Sequence, residues 1–200
     1  MPRKRLIVLL ASLTAFAPVS FDLYLPAFPD IAQYFGTSTG AVQLTLSATL
    51  LGIGLGQIGW GPVSDRFGRK RPLVVGLCLF ILASLAIIVA PSLPAMVALR
   101  FVQGLAGSAG VVISRAMVRD MFSGQQLASV LSALMTVFGL APVLAPLVGS
   151  AIIAFLPWQW CFVALSLFGA ITLAGASRLP ETLPTDRRTT HGFVGALHQY

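Results

Sequence analysis

Asp22 and Arg100 are the residues whose positions most demand a chemical reason. Each is an ionisable side chain inside an otherwise apolar run, and a charge at the centre of a bilayer costs about 2.5–3.5 kcal/mol even on the lenient insertion scale. A carboxylate kept in such a place exchanges its proton in response to small changes in hydration or in the distance of a guanidinium, which is what proton-coupled exchange requires. At 1.5 Å per residue, Asp22 lies ~24 Å along its run and Arg100 ~9 Å in from the far end of its own, so their depths match. The expectation is that the two face each other, with a static pair, or Asp22 at the outer interface, as the alternatives. Phe21, Tyr24 and Gln103 are candidate cavity-lining neighbours, or ordinary packing.

A second cluster lies in "GPVSDRFGRKRP", Gly61 to Pro72, where Asp65, Arg66, Arg69, Lys70 and Arg71 fall within seven residues between two apolar runs. Basic clusters bind nucleic acid on soluble scaffolds, but the flanking hydrophobicity denies this one such a scaffold, and no nucleic-acid partner is expected. No Ser/His/Asp or Cys/His constellation, HExxH pair or phosphate-cradling glycine loop is present, which excludes the common enzyme chemistries. Cys78 and Cys161 lack metal or CxxC spacing, so neither a zinc site nor a disulfide follows. His191 and His198 fall in a polar tail and read as solvated.

The elements that position these residues follow from composition. Only 10% of the 200 residues are charged and 56% are apolar, against roughly 25% charged in soluble domains, so the solvent is lipid. Six runs of about 18 or more residues reach across ~30 Å of hydrocarbon: 6–25, 42–63, 73–90, 94–114, 127–153 and 160–177. None alternates like a barrel strand. The fold class is an all-α membrane protein with six transmembrane helices, a multi-pass bundle whose surroundings are the bilayer. Of thirteen Lys and Arg residues, twelve precede the first run, follow the sixth, or lie in or beside alternate connections. By the positive-inside rule both termini are then cytoplasmic. The first twenty residues also imitate a signal peptide, with Ala15-Phe16-Ala17 as a cleavage-like site; with five further runs behind it, a retained first helix is expected.

Close helix packing in lipid needs small residues at helical spacing. Gly52, Gly56 and Gly59, then Gly104, Gly107 and Ser108, then Ala141, Ala145 and Gly149 supply it. Pro142 and Pro146 beside the last stripe read as a kinked structural helix or as a bend about which helices rock. Trp158 and Trp160 suit an interfacial belt. Three spans followed by three more, each triplet opening with a span that carries one buried charge, is compatible with an inverted repeat. Residues 1–178 form the bundle, and 179–200 begin a polar cytoplasmic linker with a possible amphipathic segment.

Gly61, Asp65, Arg66, Gly68, Arg69 and Lys70 fit G-x-x-x-D-R-x-G-R-K, which resembles the signature loop of the major facilitator superfamily between its second and third spans. The resemblance implies a cytoplasmic gating relay with the end of the fourth span, where Arg119 and Asp120 stand. "RFVQG", Arg100 to Gly104, resembles the R-x-x-Q-G motif of drug:proton antiporters. Gly139 to Gly149, "GLAPVLAPLVG", resembles their fifth-span bend in a looser form, with Gly139, Pro142, Pro146 and Gly149 as its matching positions. "FDLYLPAFPDI", "SRAMVRDMF" and "LPETL" are similar to the bicyclomycin and chloramphenicol resistance branch, and the likeness runs over essentially the whole chain.

It implies an exporter in the inner membrane that trades protons for small drug-like molecules, with Asp22 titrating and Arg100 modulating it. The proton gradient supplies the energy, with no other cofactor and no metal. Members of the family have twelve spans, so this chain corresponds to the amino-terminal six-helix half, built of two inverted three-helix repeats. It needs a carboxy-terminal half or a second copy to close a cavity. A transporter of another small solute, or a non-transporting membrane fragment or interaction partner, are the alternative readings.

Overall fold

The computed structural model describes residues 3–188; His191, His198 and the expected amphipathic segment lie outside them. The described chain is helical, in the order α1 (Arg3–Thr14), α2 (Phe16–Asp22), α3 (Phe28–Tyr34), α4 (Thr39–Phe67), α5 (Lys70–Ile88), α6 (Leu93–Met121), α7 (Gly124–Ile153) and α8 (Gln159–Ala176), with a short 3-10 turn at Leu25–Ala27. Helices α4 to α8 are each long and apolar enough to cross a membrane, and α1 to α3 make a sixth span bent by 46°.

That bend adds to the expected first span over 6–25 a break that the sequence analysis does not place. A proline ring clashes with the carbonyl four residues earlier and offers no N–H to it. Pro18 therefore strikes at Thr14, where α1 ends, and Pro26 at Asp22, where α2 ends. Beside the break the Thr14 hydroxyl donates to the Leu10 carbonyl at 3.0 Å and bonds Ser114 of α6 at 3.1 Å. Elsewhere the boundaries follow capping chemistry, with Ser38 and Ser92 accepting from the N–H groups of Ala41 and Ala95 as N-cap serines do. Helix α7 runs continuously through Pro142 and Pro146.

Helix α6 is the hub, packed by α4, α5 and the first span, while α7 and α8 pack on the first span and α5 packs on α8. Exchanging spans one, two and three for four, five and six maps this set of neighbours onto itself, which is the signature of an inverted three-plus-three repeat. The glycine seams obey the same exchange. A Cβ on Gly52 or Gly56 would strike the backbone of α6 at Phe101 or Leu105, and one on Gly104 would strike the Thr49 carbonyl of α4. At the related junction a Cβ on Gly149 would strike the Leu23 carbonyl. Gly59 takes no part, having open space around it, and Gly107 packs instead on Phe80 of α5.

The seams carry a stability prediction. Gly149→Ala forces α7 away from the first span, an overpacking cost of about 1–3 kcal/mol. Gly139→Ala on the same helix meets nothing within 4 Å. Thermal unfolding in detergent is expected to show a lowered midpoint for the first variant and an unchanged one for the second.

Candidate functional site

Arg100, on α6, is the largest wholly buried side chain among the described residues. Its guanidinium is held from three sides. Nη2 donates to the Ser20 carbonyl at 3.0 Å, Nη1 donates to Gln103 Oε1, and the group lies 4.0 Å over the Tyr24 ring and 5.7 Å from that of Phe162. Ser20 stands in the last turn of α2, whose final carbonyls lack helical partners. Arg100 thus caps a helix C-terminus, where a cation is favoured by the helix dipole.

Proton bookkeeping fixes the direction of the bonds around it. The Ser84 hydroxyl of α5 donates to the Phe80 carbonyl at 2.7 Å, so it accepts from Gln103 Nε2 at 2.6 Å, which turns the Gln103 oxygen to Arg100. The Thr45 hydroxyl of α4 donates to the Val42 carbonyl at 2.6 Å, so the Tyr24 hydroxyl donates to it at 2.8 Å. Spans one, two, three and four therefore meet at one oriented network. Tyr24 and Gln103 belong to it as wholly buried members; half-buried Phe21 stands outside it. Sequence reading missed Ser84 and Thr45, although isolated hydroxyls inside apolar helices were the available signal.

The expected facing of Asp22 and Arg100 is corrected. Among the described residues no ion pair or hydrogen bond joins them. Arg100 meets the Ser20 backbone carbonyl of the same turn instead. Asp22 sits half-buried as the final residue of α2. Helix geometry, not Coulomb attraction, links the two.

The basic end of the bundle holds a second assembly. Arg69 is its centre, only 8% exposed: Nη1 bonds Asp65 at 2.5 Å and Ser64 at 2.8 Å, and Nε bonds Asp120 of α6 at 3.0 Å. Burial alone would lower this guanidinium's pKa, but Asp120 and Asp65 outweigh it and hold it above its ordinary value. Arg66, Lys70 and Arg119 remain at the surface or its edge, and Arg66 lies over Phe67. Gly61, Arg115 and Arg119 border, with Asp65, a polar cavity of about 420 Å³ between α4 and α6.

Glu181, which the sequence analysis noticed only as part of "LPETL", completes this assembly. Its carboxylate accepts from the backbone N–H groups of Arg69 at 2.8 Å and Lys70 at 3.2 Å, capping α5 where the Arg69 side chain is engaged elsewhere. Gly68 makes room: its φ of +85° is a left-handed value that favours glycine, and a Cβ there would lie 2.5 Å from Glu181. The Thr182 hydroxyl donates to Asp120 at 3.1 Å, and Leu179 is buried beneath.

Partial burial pushes the Glu181 carboxyl up, but N–H donors from Leu183, Arg69, Lys70 and Thr182 more than offset this, leaving it below its ordinary value. A depressed carboxylate stabilises docking fully above the ordinary carboxylate range and loses that contribution as pH falls through it. Amide exchange at Arg69 and Lys70, corrected for intrinsic rates, is expected to lose protection on acidification. Glu181→Gln is expected to flatten that pH dependence.

Trp158, expected with Trp160 in an interfacial belt, is the less exposed of the two. It is buried among Tyr34, Phe35 and Phe162, whereas Trp160 is exposed. Cys78 and Cys161 are free thiols. Of the bend residues, Gly139 and Pro142 are exposed, Pro146 is half-buried, and Gly149 meets the first span.

Residues 10–195 match the profile described as Major Facilitator Superfamily. The chain is 43% identical over 189 residues to a Bacillus subtilis protein named "Uncharacterized MFS-type transporter YdgK", covering 93% of this chain and 47% of that one. It is 40% identical over 183 residues to the "Bicyclomycin resistance protein homolog" of Haemophilus influenzae, covering 91% and 46%. The crystal structure of the human organic anion transporter MFSD10 superposes with a TM-score of 0.77 at 21% identity, covering 98% of this chain and 53% of that one. The chain spans about half the length of the curated relatives it matches.

Proposed function

Because the chain belongs to the Major Facilitator Superfamily, we propose that it forms the amino-terminal six-span half of a transporter that exports small drug-like molecules in exchange for protons. The observation that carries this reading is the half-buried carboxylate of Asp22 at a proline-made helix end whose preceding turn is gripped by the wholly buried Arg100. Asp22 takes up and releases the proton. Arg100 fixes the turn that carries it, through Ser20 and Tyr24 rather than through a direct pair. The relative named for bicyclomycin resistance supports the class of cargo.

The Asp65–Arg69–Asp120 assembly acts as the gate at the basic end, because charge-assisted bonds at one membrane face latch helix groups and break when they rock. By the positive-inside rule that end is cytoplasmic, and the membrane is the bacterial inner membrane. A second six-span half, from a further polypeptide segment or a second copy, covers the exposed apolar faces of α4 and α7, including Leu51, Leu55, Val143 and Leu147.

The test reconstitutes the chain together with a matching carboxy-terminal half in vesicles under an imposed pH gradient. Drug movement that follows the gradient, and proton movement driven by drug, are the expected results. Solute flux indifferent to the gradient would replace this reading with a facilitator of another small solute.

A further inference from the structure

A groove of about 430 Å³ opens between α7 and α8, with the first span as its floor. Every side chain lining it is Ala, Val, Leu or Phe, among them Val19, Leu23, Leu140, Leu144, Val148 and Phe168. The geometry points to a binding site for one acyl chain of a phospholipid from the leaflet opposite the basic end. This needs only the membrane-spanning fold and stands apart from the transport reading.

Length argues for that occupant. Along α7 the lining runs from Val137, near the helix middle, to Val148, near the end remote from the basic cluster. Eleven residues at 1.5 Å make ~16 Å, about half of the ~30 Å hydrocarbon core and so the depth of one leaflet. Volume argues the same way. A methylene is similar in size to a water molecule, which takes up ~30 Å³ in the liquid, so the groove accommodates a chain on the order of fourteen carbons. A helix some 10 Å across displaces on the order of 1,200 Å³ over that length, so a partner's helix would enter the groove only by its side chains. Val143 and Leu147 lie on a neighbouring face of α7 and do not line the groove. Retention comes from dispersion contact with fixed walls on several sides, since lipid gives no hydrophobic drive of its own.

The experiment counts the phospholipids that remain with the purified chain by native mass spectrometry as detergent washing proceeds. One lipid per chain is expected to outlast the rest. Ala164→Trp, which fills the groove from α8, is expected to reduce that count from one to none. Val137→Ala, which widens it, keeps the count at one, and matched circular-dichroism spectra exclude misfolding. A lipid held equally by the Trp variant, or none held by the native chain, overturns the site. Displacement of the lipid by a lipophilic drug at matched concentration overturns the assignment to phospholipid.

Discussion

Asp22→Asn abolishes gradient-driven export by a transporter that contains this chain, reducing it to the level of empty vesicles. Asparagine keeps the size and most of the polarity of aspartate but neither gains nor loses a proton. The site tolerates the change structurally, because Asp22 is half-buried at the end of α2 and no described residue pairs with its carboxylate. Insertion, thermal stability and drug binding are therefore expected to persist. Exchange of labelled for unlabelled drug at equal concentration, which moves no net proton, also continues. The measurement is drug flux in proteoliposomes with and without a pH gradient, set beside that exchange. Undiminished gradient-driven flux in the variant removes Asp22 from the proposed role.

Loss of Arg100 has a comparable effect by another route. Arg100→Ala leaves the Ser20 carbonyl and the Gln103 side-chain oxygen without their donor in the wholly buried interior. An unsatisfied buried polar group costs about 1–3 kcal/mol, and the emptied volume adds a cavity term. The expected result is a loss on the order of several kcal/mol in unfolding free energy, read as a large fall in the thermal midpoint, together with loss of export. Arg100→Lys separates charge from geometry. A single ammonium lacks the planar fork that serves Ser20 and Gln103 at once while stacking on Tyr24. It is expected to recover part of the stability and little of the export. Full recovery by Lys would show that charge alone suffices and that the oriented network around Gln103, Ser84 and Tyr24 is incidental.

The six spans were legible because lipid leaves so few solutions: apolar length, cap serines and proline set most ends to within a few residues. The break in the first span was not legible in its hydropathy, because its geometry is governed by Pro18 and Pro26, each acting four residues upstream. Counting residues along a helix does not tell which group Arg100 meets, and in the fold that group is the Ser20 backbone carbonyl. The charge cluster at the basic end was legible as a class, and in the fold Arg69 bridges Asp65 and Asp120. Which cation would join them was not, since Arg66 lies in the last turn of α4 while Arg69 lies beyond the Gly68 turn at the start of α5. Glu181 acts across more than a hundred residues, a distance over which local spacing carries no signal.

The central claim is that the proton exchanged on transport resides on Asp22. Its most direct test is the number of protons released when a transported drug is added to the detergent-solubilised transporter, followed with a pH indicator in weak buffer. The account predicts a release that varies with pH in the native protein and disappears in Asp22→Asn at saturating drug. Equal release from both proteins would contradict it.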